Sequence, residues 1–448
     1  MKRNDRFYID FHVLQTVPPS CINRDDTGSP KTAQYGGVTR ARVSSQAWKR
    51  AMREYFNKNI ESWNSGFRTK KASEIIIQEI LSIAPDTDTM SVEKMALEAM
   101  DNAGLNRDGT ETKALFFISR EQAHKLAELV IESRNSGFQN MKTSEILEII
   151  IQEILSIKPE TDQKSAKKMA QNAVKNAGIK CNVKDNDTEK KDLFFFSQKQ
   201  AHKLAELIVE KEEDKKKYKE VLNVPNKYKE ALIESPSFDM ALFGRMATGE
   251  KDLTYDAAAQ VAHSISTHAV RTEYDYFTAL DDYKSDDSKG APYLGTTEYN
   301  SSTLYRYANI NVCELQKTIG ENPSGIIRGF AEAFCRSMPT GKQNSFANCT
   351  FPDMVYVTIR RDQPINLVGA FEQPVHSENN GFVIRSEEKL IEFAKEMYKN
   401  FAPKPEVSFG TCSNETLVEI AELMPLSDLF DKLEQYVKEN APELKGQA

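Results

Sequence analysis

Residues 36–53, GGVTRARVSSQAWKRAMR, hold Arg40, Arg42, Lys49, Arg50 and Arg53 with no acid among them. They do so in a chain of formal net charge −7. Over residues 1–53 ten Lys/Arg stand against four Asp, a local +6 that can hold a polyanion even where the remaining surface repels it. The chemistry these residue types suit is anion capture. RVSSQAWKRAMREYF reads as a helix start with Ser44 or Ser45 as its cap. Such an end offers free backbone N–H groups at the positive pole of the helix dipole. Ser44 and Gln46 add donors there, and Lys49 and Arg53, four apart, share one face. Arg24 and Lys31 lie in the preceding segment, within reach of the same ground. A phosphate backbone fits this pattern, and so does a plain solvated basic surface.

Other chemistries find less support. Asp25-Asp26 suggests a metal nuclease, but neighbours in an extended loop point to opposite sides and rarely chelate together. His263 and His268 in HSISTH are five apart, off the i,i+4 spacing of helical metal ligands. PTGKQNS contains Gly341-Lys342 without the frame of a phosphate-binding P-loop. No GxSxG occurs, and the six cysteines are dispersed with no CxxC pair, which suits a reducing, cytoplasmic setting with no zinc. His12 reads as a solvent-face strand residue, and His124 and His202 as surface histidines on helices. In LFGRMATGE, Met246 follows an apolar run and either wedges between bases or fills a core. We therefore expect no catalytic residue, no metal and no cofactor.

The elements that must position these residues are legible in outline. The chain's 448 residues exceed one ordinary domain, and its apolar and charged fractions of 40% and 28% are those of a globular protein. No apolar leader follows Met1 and no run approaches about 18 apolar residues, so neither export nor membrane spanning is expected. FYIDFHVLQTV alternates as a half-buried strand, and PPSCINRDDTGSPKTAQYGG reads as a long loop. The middle of the chain repeats itself. EIIIQEILSI at 74–83 recurs unchanged at 148–157, with NSGF, NAG and QAHKLAEL also occurring twice, at offsets that grow from 71 to 74 to 78. Apolar residues at helical spacing make each copy helical, and two copies with a period near 75 indicate a duplicated insertion, not a solenoid. EKEEDKKKYKE (210–220) follows as an exposed, salt-bridged helix. Later, TLYRYANINV and DMVYVTIR read as strands, the second half-buried. Between the helices and these strands, residues 271–303 carry seven acids, three bases and several aromatics, and look like a projecting hairpin.

PSCINRDDTGSPKTAQYGG, RVSSQAWKRAM, GRMAT, HSISTH, DYFTALDD, LGTTEYNSSTLYRYANIN and KQNSFAN, in this order, closely resemble the type I-E CRISPR Cascade backbone subunit of the CasC family, in the RAMP superfamily. The match is tight over 1–60 and about 240–360, looser over the last 85 or so residues, and only general over the helical block, which this chain carries twice. The resemblance implies an α+β hand: an RRM-like (ferredoxin-like) palm, a helical fingers domain and a protruding thumb hairpin, and here the repeat makes the fingers a large, internally duplicated helical insertion, a departure from the usual family length. Its expected divisions are palm at 1–60, fingers at 61–234 (copies about 64–134 and 135–210), palm at 235–270, thumb at 271–303 and palm at 304–448. It further implies a non-catalytic, cytoplasmic protein whose copies line up head-to-tail along CRISPR RNA and present it to target DNA, beside other Cascade subunits and away from membranes. Matched position by position, Arg24, Lys31, Ser44, Gln46, Lys49 and Arg53 fall on RNA-backbone contacts and Met246 on a base contact. Tyr276, Phe277 and Leu294 are the expected base wedge of the thumb. A RAMP-type ribonuclease, cutting RNA at regular intervals with Asp25 or Asp26 as its acid, is the rival reading.

Overall fold

The computed structural model describes residues 6–61, 63–135, 138–176, 193–210, 217, 224–246, 251–279, 293–377, 381–413 and 415–442. The expected helix at 210–220 therefore lies almost wholly outside the described residues, as do 247–250 and the hairpin tip at 280–292. The chain divides into two compact units, 1–65 with 238–244 and 256–448, and 66–237 with 245–255.

The first unit is an α+β structure built on a ten-stranded mixed sheet. Its main path runs Glu422–Leu423, Val407–Cys412, Met354–Arg360, Tyr8–Ser20, Tyr293–Asn311, Ser264–Ser266, Val38–Val43, Thr32–Tyr35. Tyr8–Ser20 is central, pairing antiparallel with both long neighbours, so that Phe11 faces Ala308 on one side and Val357 on the other. Phe7, Ile9, Phe11 and Val13 enter a core shared with helices Ser45–Asn59, Ser324–Arg336 and Leu426–Asn440. Leu14, Tyr305, Tyr307 and Tyr356 enter a second core, under helix Val383–Asn400 and the turn Leu367–Phe371.

This double cover corrects two expectations, and strand pairing corrects a third. Tyr8–Ser20 and Met354–Arg360 are not half-buried: every residue from Met354 to Arg360 is buried, and so are Asp10 and His12. Polar heads are tolerated there because they pair with one another. Asp10 accepts from the Tyr307 hydroxyl at 2.7 Å and from the Ile365 amide at 3.1 Å, while His12 Nδ1 lies 2.9 Å from the Tyr305 hydroxyl. His12 is thus a core residue. The third correction concerns residues 18–37, expected as one loop. Pro18 and Pro19 finish the first strand across a break in register, where a missing N–H does no harm, and Thr32–Tyr35 and Val38–Val43 form a hairpin. Gly36 and Gly37 make its turn at φ 59° and 76°, and a Cβ on Gly36 would sit 1.6 Å from the Glu372 carbonyl oxygen.

The second unit holds two similar helical modules. Strand Gly66–Thr69, helices Ala72–Ile83 and Thr89–Asn102, strand Phe116–Ser119 and helix Arg120–Asn135 make the first. Phe138–Lys142, Thr143–Ile157, Gln163–Asn176, Leu193–Ser197 and Gln198–Val209 make the second, in the same order. Each module buries its own isoleucines, Ile76 and Ile80 in one core and Ile150 and Ile154 in another. The two histidines of the repeat sit alike as well: His124 Nδ1 lies 2.9 Å from Glu79 and His202 Nδ1 2.7 Å from Glu153. Each is a surface histidine hydrogen-bonded to a glutamate of its own module.

Candidate nucleic-acid interface

The basic helix Ser45–Asn59 is fixed to the sheet before any ligand arrives. Ser44 is its cap, accepting from the Ala47 amide at 3.3 Å, and the Ser44 amide in turn donates to Asn23 Oδ1 at 2.9 Å. Below the helix, Trp48 is buried and donates to Ser264 Oγ at 3.0 Å. The guanidinium of Arg306 stacks over the Trp48 ring at 3.7 Å, bonds Gln15 and the Phe334 carbonyl, and has its pKa pushed down to about 9 by burial. This anchor sets which face of the helix looks outward.

A cleft of about 650 Å³ opens along that outward face. Its walls are residues 22–28, the helix at Ala47, Arg50, Ala51 and Glu54, and the segment 338–342. Gly341 lets the last segment close in, since a Cβ there would meet the Ile22 carbonyl oxygen at 2.4 Å and that of Cys21 at 2.7 Å. Lys342 projects from this wall and its Nζ donates to Thr297 at the root of the hairpin strand, 3.2 Å away. Three cations, Arg24, Arg50 and Lys342, and three acids, Asp25, Asp26 and Glu54, line the cleft. Two of the acids are committed. Glu54 accepts from Arg50 Nε at 2.9 Å. Asp25 Oδ1 accepts from the Thr27 hydroxyl and amide and from the Ser29 amide, and these bonds hold its carboxyl below the usual range. A carboxylate so tied braces a loop and is poorly disposed to shuttle protons.

The expected contact residues divide by state. Arg24 and Gln46 are exposed, and Arg24 lines the cleft. Lys31 is half-buried and lines a smaller pocket with Arg42 and Asn300. Lys49 is half-buried with its ammonium 5.5 Å from the centre of the Phe243 ring, and desolvation lowers its pKa. Ser44 is buried in its capping role. Arg53 donates Nε to Asp239 at 2.7 Å, and Asp239 is almost fully buried, so part of this arginine's charge is spent within the fold. Of the other bases in the stretch, Arg40 is inside the protein, donating to the carbonyls of Tyr35, Ser266 and Phe371. Arg42 lies 3.2 Å from His263 Nδ1, and His263 has its pKa lowered by burial and by Arg42, which fits a neutral ring accepting the bond. His268 stacks on Phe382 at 3.6 Å. Sequence reasoning passed over the wall at 338–342, which stands some 300 residues away in the chain; its signal was the Gly-Lys pair, set aside for lacking a P-loop frame.

Strand Glu273–Ala279 pairs with the start of Tyr293–Asn311 to form the hairpin base. Tyr276 and Phe277 are exposed, but adjacent strand residues face opposite ways, and the register sets Leu294 against Thr278. Tyr276 therefore takes one side of the ladder and Phe277 the other, where its ring covers Gly295, so these two aromatics face opposite ways. In the second unit Met246 is 85% exposed at the rim of a pocket of about 420 Å³ with Leu105, Leu115 and Phe116. Its neighbour Arg245 is buried, stacked on Phe116 and Tyr255, and donates to the carbonyls of Leu253, Phe117 and Leu232, a brace that the sequence did not reveal.

Against known families, the profile of CT1975-like proteins, a CRISPR-associated (Cas) family, matches residues 9–145 and again 133–438. The chain belongs to this family. The two matches overlap at 133–145, where the second copy of the repeat begins. Among solved structures, the fold is similar to a chain of a "CRISPR RNA-guided surveillance complex, pre-nicking", at 25% identity and a TM-score of 0.66, covering 96% of this chain and 100% of that one. A chain of another "CRISPR RNA-guided surveillance complex" matches at 22% identity and a TM-score of 0.57, covering 96% and 99%. No curated protein matches the sequence. Among the described residues no helix is long and apolar enough to cross a membrane, and no three His, Cys, Asp or Glu side chains form a metal-holding group.

Proposed function

We propose that this CT1975-like protein is a non-catalytic backbone subunit of a type I-E Cascade complex, binding CRISPR RNA and polymerising head-to-tail along it. The observation that carries the reading is the likeness, over nearly its whole length, to a chain of an RNA-guided surveillance complex. The first unit is read as an RRM-like palm, the second as fingers enlarged by a duplication, and 271–303 as a thumb that reaches the next copy. RNA phosphates are taken by the end of the basic helix, with Arg24, Lys31, Gln46 and Lys49 the principal cations and donors, Arg53 and Ser44 supporting them, and Lys342 an added contact on the opposite wall. Contacts to phosphates carry no sequence information, which suits guides of variable sequence and leaves their bases free to pair with target DNA. The acidic hairpin and the basic helix are unlike patches on one molecule, and unlike patches make open head-to-tail assemblies. Met246 is read as a base contact from the fingers. Cytoplasmic location and other Cascade subunits as partners belong to the same reading.

The test is a titration of the protein into labelled single-stranded RNA of guide length with Mg²⁺, repeated across salt, followed by a gel of the RNA. Intact RNA is expected, with a salt slope of about −0.7 per phosphate contacted. Arg24→Glu/Lys49→Glu should abolish the binding. RNA cut at a regular interval would replace this reading with the ribonuclease.

A further inference from the structure

The two helical modules differ in charge, most of all on one pair of equivalent helices. Helix Thr89–Asn102 of the first module carries Glu93, Glu98 and Asp101 with one base, Lys94. At the same positions helix Gln163–Asn176 of the second carries Lys167, Asn172, Lys175 and Lys168. Met90, too, is matched by a lysine, Lys164. Three acids and one base have become four bases and no acid.

The helix geometry sorts these residues cleanly. Ala166, Ala170, Ala173 and Val174 are buried in the module core. Lys164, Lys168, Asn172 and Lys175 are exposed on the opposite face, and Lys167 is exposed at its flank. Lys164, Lys168 and Lys175 follow at i, i+4 and i+11, nearly in line over about 16 Å of helix. None of the four lysines is in an ion pair among the described residues. The nearest acid in sequence, Asp162, is engaged as the helix cap, accepting from the Ser165 amide at 3.0 Å. In the first module the corresponding position to Asn172 is Glu98, buried and 3.5 Å from Arg134. In the second module an exposed asparagine stands in place of that buried glutamate.

We infer that helix Gln163–Asn176 docks on the phosphate backbone of double-stranded DNA. The charge complementarity is direct, since duplex DNA presents a rigid row of phosphates at one charge per about 1.7 Å of axis. Duplex is favoured over single-stranded RNA by what the face lacks. Single-strand binding sites pair their cations with aromatic side chains that stack bases, and this face offers only ammonium and amide groups. The inference stands apart from the guide-RNA reading, because it concerns another surface and another ligand.

The experiment measures binding of the full chain to a blunt DNA duplex and, separately, to guide-length single-stranded RNA, over a range of salt. The variant is Lys164→Gln/Lys168→Gln/Lys175→Gln, on exposed positions where glutamine keeps the helix. A control variant, Lys399→Gln/Lys432→Gln/Lys438→Gln, makes the same charge change elsewhere. The helix variant should lose at least about tenfold in duplex affinity near ~0.1 M salt and shed up to about 2.7 units of salt slope. Its RNA binding and circular dichroism should match the wild type, and the control should bind duplex as the wild type does. Absence of duplex binding by the wild-type protein, an unchanged slope in the helix variant, an equal loss in the control, or an equal loss of RNA binding would each overturn the inference.

Discussion

Lys49 and Arg53 stand one turn apart on the same helix and carry their charge under different constraints. Arg53 neutralises Asp239, which has almost no exposure of its own. Arg53→Ala should therefore destabilise the protein by about 3 kcal/mol, the low end for a broken buried pair because a quarter of the arginine side chain reaches solvent. Lys49→Ala should cost about 1 kcal/mol or less and express itself in RNA affinity. Denaturant titration beside RNA binding checks both, and the reverse order of effects would contradict the assignment. A second pair of residues makes a pH prediction. Burial pushes the Asp10 carboxyl from 3.8 up to about 7 and the His12 imidazole from 6.5 down to about 3. Between pH 4 and 7 folded Asp10 keeps a proton that the unfolded chain has released, so its contribution falls as pH rises. Folded His12 lacks a proton that the unfolded chain takes up below 6.5, so its contribution falls as pH drops. The two slopes oppose each other over about pH 4–6.5. Asp10→Asn removes one of them, and stability should then decline by about 1.4 kcal/mol per pH unit on acidification below 6.5. Urea unfolding of both proteins at pH 5 and 6.5 reads this directly; identical pH dependence would sink it. The sequence showed Asp10 and His12 as the polar side of an alternating strand, because alternation reports chemical type and not whether a second layer covers the polar face.

At the scale of elements, local signals read best where they act locally. The Ser44 cap and the helix after it follow from a few neighbouring residues, as does the helical character of both repeat copies. The cleft did not, because its far wall comes from 338–342 and no local pattern joins that segment to residues 22–28. Gly341 is the residue that makes the joint. Gly341→Ala should force the wall off the Ile22 and Cys21 carbonyls and weaken RNA binding more than Lys342→Ala does, since it displaces the wall as well as its lysine. A Gly341→Ala protein with wild-type RNA affinity would show that the wall does not touch RNA. The hairpin base was legible as a hairpin, but not which side each aromatic takes, which the register alone decides.

At the scale of the whole molecule, two similar helical modules occupy the middle of the chain, and each closes its own core. Ile76 and Ile150 are equivalent and fully buried, and replacing either by alanine should cost about 2–5 kcal/mol. The effects should stay within the module concerned. Hydrogen exchange should speed up across 138–176 and 193–209 in Ile150→Ala while 72–135 keeps its protection, and acceleration spread evenly over both modules would show one cooperative unit. The charge of the chain is just as uneven, with bases gathered in residues 36–53 and on one helix of the second module in a chain of formal net charge −7. The central claim is that copies of this chain assemble along a guide RNA without cutting it. It is tested most directly by mass measurement of complexes formed on two RNAs, one twice the length of the other. The number of bound copies should double with RNA length, on intact RNA. A single copy on both lengths, or RNA recovered in regular fragments, would contradict the account.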